Sequence, residues 1–307
     1  MERITVLSVN ISDKKGTIKK PVETIVLNNR GIESDGHAGS WHRQVSLLGR
    51  ESMEKMGRKL NFGEFAENIT TEGFTLTKMR PLDRLAAGEV LLEVTQIGKK
   101  CHGERCAIFK ETGDCVMPKE GIFCRVIRGG TLKAGDLLVY EPKVIRVKVI
   151  TLSDRASRGE YDDQSGPVLK QMAEEYFSGE GRHVEVQMRI IPDEPDPLKA
   201  LIAEFTAKEA DIIFTTGGTG IGSRDITPDV IKPLLDKEIP GIMEMIRIKY
   251  GTQHPNALIS RSLAGLIKRT IVYVLPGSPK AVREYAGEIF KTYEHSLRML
   301  HEIDTHG

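Results

Sequence analysis

The sequence has almost no excess of charge, because 44 basic and 43 acidic side chains leave a formal net charge of +1 at pH 7. Balanced charge excludes the strongly basic surface on which nucleic-acid binding usually depends. No apolar run approaches the ~20 residues of a membrane-spanning helix. The N-terminus, MERITVLSVN, lacks the apolar core and cleavage site of a secretory signal. We therefore expect a cytoplasmic protein that binds neither nucleic acid nor membrane.

Cysteine is also scarce, and the four cysteines all lie within residues 101–124. Thiols in a cytosolic protein are more often reactive or metal-binding than paired. Cys101, Cys106 and Cys115 lack the closely spaced pairs of a strong zinc site, which leaves a structural metal site as the weaker interpretation. Cys124 lies in the apolar run GIFCRV and is expected in the core.

The chain shows no internal repeat, and a boundary is expected near Pro142, which gives domains 1–141 and 144–307. Short strand-like runs separated by glycine-rich turns, with one helix at 49–60, predict a β-rich, barrel-like N-terminal domain. The C-terminal half alternates strands with helices, which predicts an α/β three-layer domain with a mainly parallel sheet. Its expected strands are 144–152, 183–191, 211–216 and 270–279.

Ligands of such sheets bind beyond the carboxyl ends of the strands, and three unusual loops are expected there: 153–166, 215–229 and 275–279. The middle loop lies within FTTGGTGIGSRDITPDV (214–230) and matches neither the Walker pattern nor the dinucleotide fingerprint. Its four glycines permit amides to converge on one anion. The competing interpretation is a sharp turn without a ligand.

Asp225 follows these glycines directly, and an anion would repel its carboxylate unless a cation lay between them. Arg224 is one candidate for that cation. A bound Mg²⁺ is the other, because Mg²⁺ takes carboxylate and phosphate oxygens together. The spacing of the residues does not decide between them.

Three segments in order, SDRASRGEYDDQSGP (153–167), TTGGTGIGSRDITPDV (215–230) and LPGSPKAVRE (275–284), closely resemble the molybdopterin adenylyltransferase family, the bacterial relatives of the gephyrin G domain. The likeness covers residues 144–300. It implies a trimer that transfers AMP from Mg-ATP to molybdopterin and releases pyrophosphate.

By the same resemblance, Asp225 and Asp193 of IIPDE (190–194) are the catalytic carboxylates and hold Mg²⁺. Without the resemblance, Asp193 would be taken for a turn residue. The positions matching the nucleotide and substrate site are Ser153, Asp154, Arg155, Thr216, Gly217, Gly218, Thr219, Gly220, Arg224, Pro276, Gly277, Ser278 and Pro279.

The N-terminal half contains SDGHAGSWHRQVSLL (34–48), VTQIGKKCHGERC (94–106) and GTLKAGDLL (130–138), which resemble the MOSC domain of molybdenum-cofactor sulfurases. The resemblance implies a barrel that binds the molybdenum cofactor, with Cys101 carrying sulfur or ligating the metal. Lys99 beside Cys101 favours a reactive thiolate, because nearby positive charge lowers a thiol pKa. His37 is a further candidate for this site. The alternatives are an inert thiol and a structural histidine.

Together these features predict an enzyme of molybdenum- or tungsten-cofactor biosynthesis that adenylylates molybdopterin and binds or sulfurates the pterin product. Molybdenum- or tungsten-enzymes are the expected recipients. The alternatives are a non-catalytic cofactor carrier or scaffold and an unrelated Mg²⁺-dependent nucleotidyltransferase.

Overall fold

The computed structural model describes residues 2–57, 61–100 and 115–303, and the chain divides into two compact units. One unit consists of Met1–Lys143 with the C-terminal residues from His301, and the other is Val144–Leu300. Within the described ranges, no helix is long and apolar enough to cross a lipid bilayer.

The first unit is a closed β-barrel. Its strands are β1 (Arg3–Ile11), β2 (Lys20–Val22), β3 (Thr24–Asn28), β4 (Gly31–Ile32), β5 (Val45–Gly49), β6 (Ile69–Glu72), β7 (Arg84–Ala87), β8 (Val90–Ile97), β9 (Ile122–Arg128), β10 (Gly130–Lys133) and β11 (Leu137–Glu141). Seven of them form a ring in the order β11-β7-β8-β9-β5-β6-β1, which closes where β1 pairs with β11. The barrel-like prediction is confirmed.

The barrel interior is filled by aliphatic side chains that alternate along the strands, as in β1, where Ile4 and Val6 are both buried. Short helices α1 (Arg50–Glu54) and α2 (Met117–Glu120) and a 3₁₀ turn, Leu76–Lys78, lie between strands. The prediction of a helix over 49–60 is wrong in length. The chain leaves the helix after Glu54 and reaches Gly57 with φ 65°, a left-handed conformation that a helix does not continue through.

The second unit contains one mixed sheet with helices. Its strands are β12 (Val144–Leu152), β13 (His183–Ile191), β14 (Ile212–Thr216), β15 (Lys237–Glu238), β16 (Ala264–Ile267) and β17 (Thr270–Leu275). The sheet order is β13-β12-β14-β17-β16-β15, and the pairings from β13 to β17 are parallel. The sequence did not predict β15 and β16, which pair antiparallel at one edge. The final strand ends at Leu275, because Pro276 has no N–H to continue the ladder.

The helices of this unit are α3 (Asp154–Ser157), α4 (Ser165–Gly179), α5 (Pro195–Ala207), α6 (Thr227–Ile231), α7 (Pro240–Gly251) and α8 (Pro279–Leu300), with 3₁₀ turns at Lys232–Leu234 and Pro255–Ile259. Two consecutive side chains of β14, Ile213 and Phe214, pack in different clusters. Phe214 stacks on Tyr273 at 5.3 Å and meets Phe290 of α8 edge-on, whereas Ile213 packs in a cluster with Leu198 of α5. Because β12, β13, β14 and β17 are parallel, their carboxyl ends lie at the same end of the sheet. The loops predicted to form the site begin there.

Candidate functional site

The glycine loop after β14 and the loop after β17 are joined by backbone contacts. Gly217 donates its N–H to the carbonyl oxygen of Leu275 at 3.1 Å, and the Thr216 hydroxyl donates to that of Pro276 at 2.9 Å. A Cβ on Gly277 would lie 3.2 Å from the Cα of Gly217. Two of the predicted loops therefore meet at van der Waals distance, which larger residues at these positions would prevent.

Gly217 and Gly218 both have left-handed backbones, with φ of 102° and 63°. A Cβ on Gly217 would overlap the carbonyl oxygen of Leu152 at the end of β12, and one on Gly218 would overlap the Thr227 hydroxyl. Thr227, at the start of α6, binds back to the loop, because its hydroxyl donates to the Gly217 carbonyl at 2.9 Å and its N–H to that of Gly218 at 3.1 Å. The glycines are needed for this turn, as the sequence predicts.

The hydrogen bonding of this loop is one-sided. The carbonyl oxygens of residues 217–220 all accept hydrogen bonds, two from Thr227 and two from Arg261. By contrast, the N–H groups of residues 218–221 donate to no acceptor in the described part of the chain. Consecutive free amides beside left-handed glycines form a concave donor surface that binds anions such as phosphate.

Asp154 and Asp193 lie at the ends of neighbouring strands and bind each other's backbone. Each accepts the other's N–H at 3.0 Å. Arg224 donates to both Asp154 oxygens, at 2.7 and 2.6 Å, and this hydrogen bonding lowers the pKa of Asp154. Burial raises the pKa of Asp193, and the charges of Asp154 and Asp225 act in the same direction. Arg224 is thus the partner of Asp154 and not of Asp225.

Asp225 uses one carboxylate oxygen inside its own loop, where Oδ2 accepts the N–H of Gly222 at 2.8 Å. Its Oδ1 and the Oδ1 of Asp193 accept no hydrogen bond from any described residue. No group of three or more His, Cys, Asp or Glu side chains suited to a metal occurs in the described ranges. Two carboxylates with free oxygens beside free amides fit Mg²⁺, which is typically held by one or two carboxylates with phosphate oxygens and water.

Ser153, Ser278 and Arg155, which were also predicted for the site, contact residues close to them in the sequence. Ser153 accepts the N–H of Ala156 and begins α3, and Ser278 likewise accepts that of Ala281 at the start of α8. Arg155 lies over the Tyr161 ring, 5.2 Å from its centroid. A cavity of about 350 Å³ adjoins the glycine loop and includes predicted positions Thr219, Gly220, Pro276 and Ser278 together with His254, Asn256, Ala257, Ile259, Ser260, Lys280, Ala281, Glu284 and Tyr285.

Sequence reasoning missed Asp163 and Arg261. Asp163 accepts N–H groups from Ser165 and Gly166 at the start of α4 and the hydroxyl of Thr151. Its position in DDQSGP, just before a helix, is a signal for such a cap. Arg261 has no comparable signal, because its partners in the glycine loop are distant in sequence.

Known proteins match both halves of the chain. A family model described as a probable molybdopterin binding domain matches residues 148–295, and the MOSC domain model matches 34–139. A molybdopterin adenylyltransferase of Pyrococcus furiosus is 39% identical over 166 residues, which cover 50% of this chain and 93% of that protein. One from Helicobacter pylori is 34% identical and covers 52% and 89%.

The chain belongs to the molybdopterin adenylyltransferase family. A gephyrin from Dictyostelium discoideum is also similar, at 38% identity over half of this chain, but the match spans only 22% of that longer protein. Membership places the adenylyltransferase-like domain in molybdenum-cofactor biosynthesis. The resemblances to this family and to the MOSC domain are confirmed.

The N-terminal, MOSC-containing unit has a buried ion pair that the sequence did not predict. Lys19 donates to Asp35, and both side chains are fully shielded from solvent. Burial by itself would raise the pKa of Asp35, but hydrogen bonds from His37 and Lys19 hold it below its ordinary value. Asn68 also donates to Asp35, at 3.1 Å. His37 Nδ1 lies 3.4 Å from the Lys19 ammonium, so this predicted residue borders the buried pair.

Lys99, the other described residue of the predicted MOSC site, lies over the Phe123 ring. Burial lowers the pKa of Lys19, and the charge of Lys99 lowers it further. Lys19 therefore neighbours both His37 and Lys99. Cys101 and Cys106 lie outside the described residues. Cys124 is fully buried, as predicted, and burial raises the pKa of its thiol.

Proposed function

We propose that the C-terminal domain transfers AMP from Mg-ATP to the terminal phosphate of molybdopterin. An oxygen of the pterin phosphate forms a bond to the α-phosphorus of ATP, and the bond from that phosphorus to pyrophosphate breaks. The observation that carries this proposal is the glycine loop, in which the N–H groups of residues 218–221 donate to no described residue while the carbonyl oxygens of residues 217–220 all accept hydrogen bonds. Such donors stabilise phosphate charge without reorganising during the reaction.

Asp193 and Asp225 would hold Mg²⁺ through their unbonded Oδ1 atoms. A bound Mg²⁺ neutralises the phosphates of two polyanions that must approach each other. Asp154 is the positioning partner of Asp193, because the two bind each other's backbone, and Arg224 compensates the charge of Asp154. The predicted nucleotide and substrate positions around the 350 Å³ cavity would then complete the walls of the site.

For the MOSC domain we propose binding of the pterin cofactor, or sulfur transfer to it, with His37 and Lys99 near the anionic groups and Cys101 at the reactive position. Support comes from the placement of these two side chains around one residue: His37 lies 3.4 Å from the buried Lys19 ammonium, and the charge of Lys99 acts on the same ammonium. We further propose a cytoplasmic homotrimer, helices layered on both faces of the C-terminal sheet, and molybdenum- or tungsten-enzymes as recipients.

The test is pyrophosphate release by the purified chain, measured with Mg-ATP in the presence and absence of molybdopterin. We expect release only with pterin, and Asp225→Asn should abolish most of it. A carrier or scaffold would bind pterin with no turnover, and an unrelated nucleotidyltransferase would bind nucleotide but not pterin. Equal inactivity of the wild type and Asp225→Asn would contradict the enzymatic proposal.

A further inference from the structure

Arg261 lies between the 3₁₀ turn Pro255–Ile259 and strand β16, outside the loops that form the candidate site. Its side chain nevertheless reaches the glycine loop. Nε donates to the Gly220 carbonyl at 2.7 Å, and one terminal nitrogen donates to the carbonyl of Asp225. Its backbone N–H adds a third bond, to the carbonyl of Thr219 at 2.9 Å.

The two carbonyls bound by the guanidinium mark the two ends of the segment 220–225. Between them the loop is closed by Gly222, which donates to the Asp225 carboxylate, and by the Asp225 N–H, which donates back to the Gly222 carbonyl at 3.1 Å. Guanidinium is planar and rigid, so its Nε and terminal N–H groups hold two acceptors at a fixed separation. The other terminal nitrogen is paired with Asp229 at 2.8 Å.

We propose that Arg261 is a positioning residue that fixes the free amides and the carboxylate of Asp225 relative to each other. The inference rests on the proposed adenylyl transfer and identifies the group on which the geometry of its site depends. Each nitrogen of the Arg261 side chain already has a partner within the protein. These partners assign Arg261 to holding the loop.

If Arg261 positions the loop, its loss should lower kcat and leave the KM for ATP nearly unchanged. A misplacement of about 1 Å can cost roughly 100-fold in rate. Lysine keeps the charge but lacks the rigid planar array of donors, so Arg261→Lys should not hold the carbonyls of Gly220 and Asp225 at a fixed separation. The backbone bond to Thr219 persists in any variant, so the segment itself remains attached.

The experiment compares Arg261→Lys and Arg261→Gln with Asp229→Asn, which removes only the partly exposed ion pair. We expect kcat to fall roughly 100-fold in both Arg261 variants, the KM for ATP to stay close to that of the wild type, and half-maximal activity to require more Mg²⁺. Asp229→Asn should behave like the wild type. Wild-type kcat and Mg²⁺ dependence in Arg261→Lys would overturn the proposal.

Amide hydrogen exchange provides a readout that does not need activity. The N–H groups of Gly222, Asp225 and Thr227 are bonded within the loop, and we expect them to exchange faster in Arg261→Gln and Arg261→Lys but not in Asp229→Asn. Acceleration spread over the whole C-terminal unit, or none at all, would overturn the positioning role. Absence of turnover in the wild type would instead contradict the proposed function, and the exchange pattern would still decide whether Arg261 restrains the loop.

Discussion

Lys19–Asp35 in the MOSC domain and Arg224–Asp154 in the C-terminal domain are both ion pairs, but their surroundings are opposite. The first pair is wholly buried, whereas the side chains of Arg224 and Asp154 are 61% and 27% exposed. Both carboxylate oxygens of Asp35 accept hydrogen bonds from the protein. Near Asp154, by contrast, the Oδ1 atoms of Asp193 and Asp225 and the amides of residues 218–221 have no partner among the described residues. The buried cluster therefore supports the barrel, and the exposed one is suited to a ligand.

The strongest challenge to this contrast is to remove the buried cation. Lys19→Met would leave the buried Asp35 carboxylate uncompensated, and we expect a loss of roughly 3–5 kcal/mol in the free energy of unfolding of the N-terminal unit. Trp41 is the single tryptophan of the chain and donates its N–H to the His37 carbonyl, so its fluorescence reports on this unit during denaturation.

The matched control is Lys55→Met, which breaks an ion pair between Lys55 and Glu120 in the same unit, where the lysine side chain is 56% exposed. Exposed pairs contribute at most about 1 kcal/mol. Equal effects of the two substitutions would show that burial does not distinguish the Lys19 pair.

The carboxylate of Asp193 is expected to affect catalysis and not stability. Asp193→Asn keeps an oxygen for the N–H of Asp154 but removes the charge, so we expect kcat/KM for pyrophosphate release to fall roughly 10²–10³-fold with no loss of thermal stability. Asp162→Asn, an exposed carboxylate in a neighbouring loop, is the control and should retain activity. A stability loss that accounts for the inactivity of Asp193→Asn would assign Asp193 to the turn instead.

These two sites also differ in how far the sequence predicts them. The glycine loop could be identified because glycines, Thr227-Pro228 and Asp225 form a local pattern whose backbone consequences are general. The Lys19 pair could not, because Lys19 and Lys20 are adjacent and only the fold determines which one points inward. Arg261 and the edge strand β16 likewise depend on contacts between distant segments. The local sequence therefore predicts the amide donors of the glycine loop. The residues that hold this loop in place, such as Arg261, are determined by tertiary packing.

A smaller effect is expected from the glycine that joins the loops. Gly217→Ala places a Cβ against the Leu152 carbonyl at a left-handed backbone position, which should cost about 1–3 kcal/mol in the C-terminal unit and reduce activity. Gly287→Ala, inside α8 where a Cβ meets nothing within 4 Å, should instead stabilise by up to about 1 kcal/mol. Calorimetry of both variants checks the opposite signs.

The smallest expected effect is on pH dependence. Because burial raises the folded pKa of Asp193, its ionised, metal-binding form appears at higher pH than in an ordinary aspartate, and activity should rise with pH through that folded pKa. The linked contribution to stability has the opposite sign, since it is present at low pH and is lost as pH rises. Asp154→Asn removes a repelling charge and should move the acidic limb of the rate profile to lower pH; an unmoved limb would exclude Asp193 as its source.

Transfer of the α-phosphoryl label of ATP tests the central claim most directly. The wild-type chain is incubated with Mg²⁺, α-labelled ATP and molybdopterin, and the products are separated. We predict that the label is found covalently attached to the pterin, in amounts equal to the pyrophosphate released, and that Asp225→Asn yields almost none. Label that remains in ATP or appears only as free AMP would contradict adenylyl transfer.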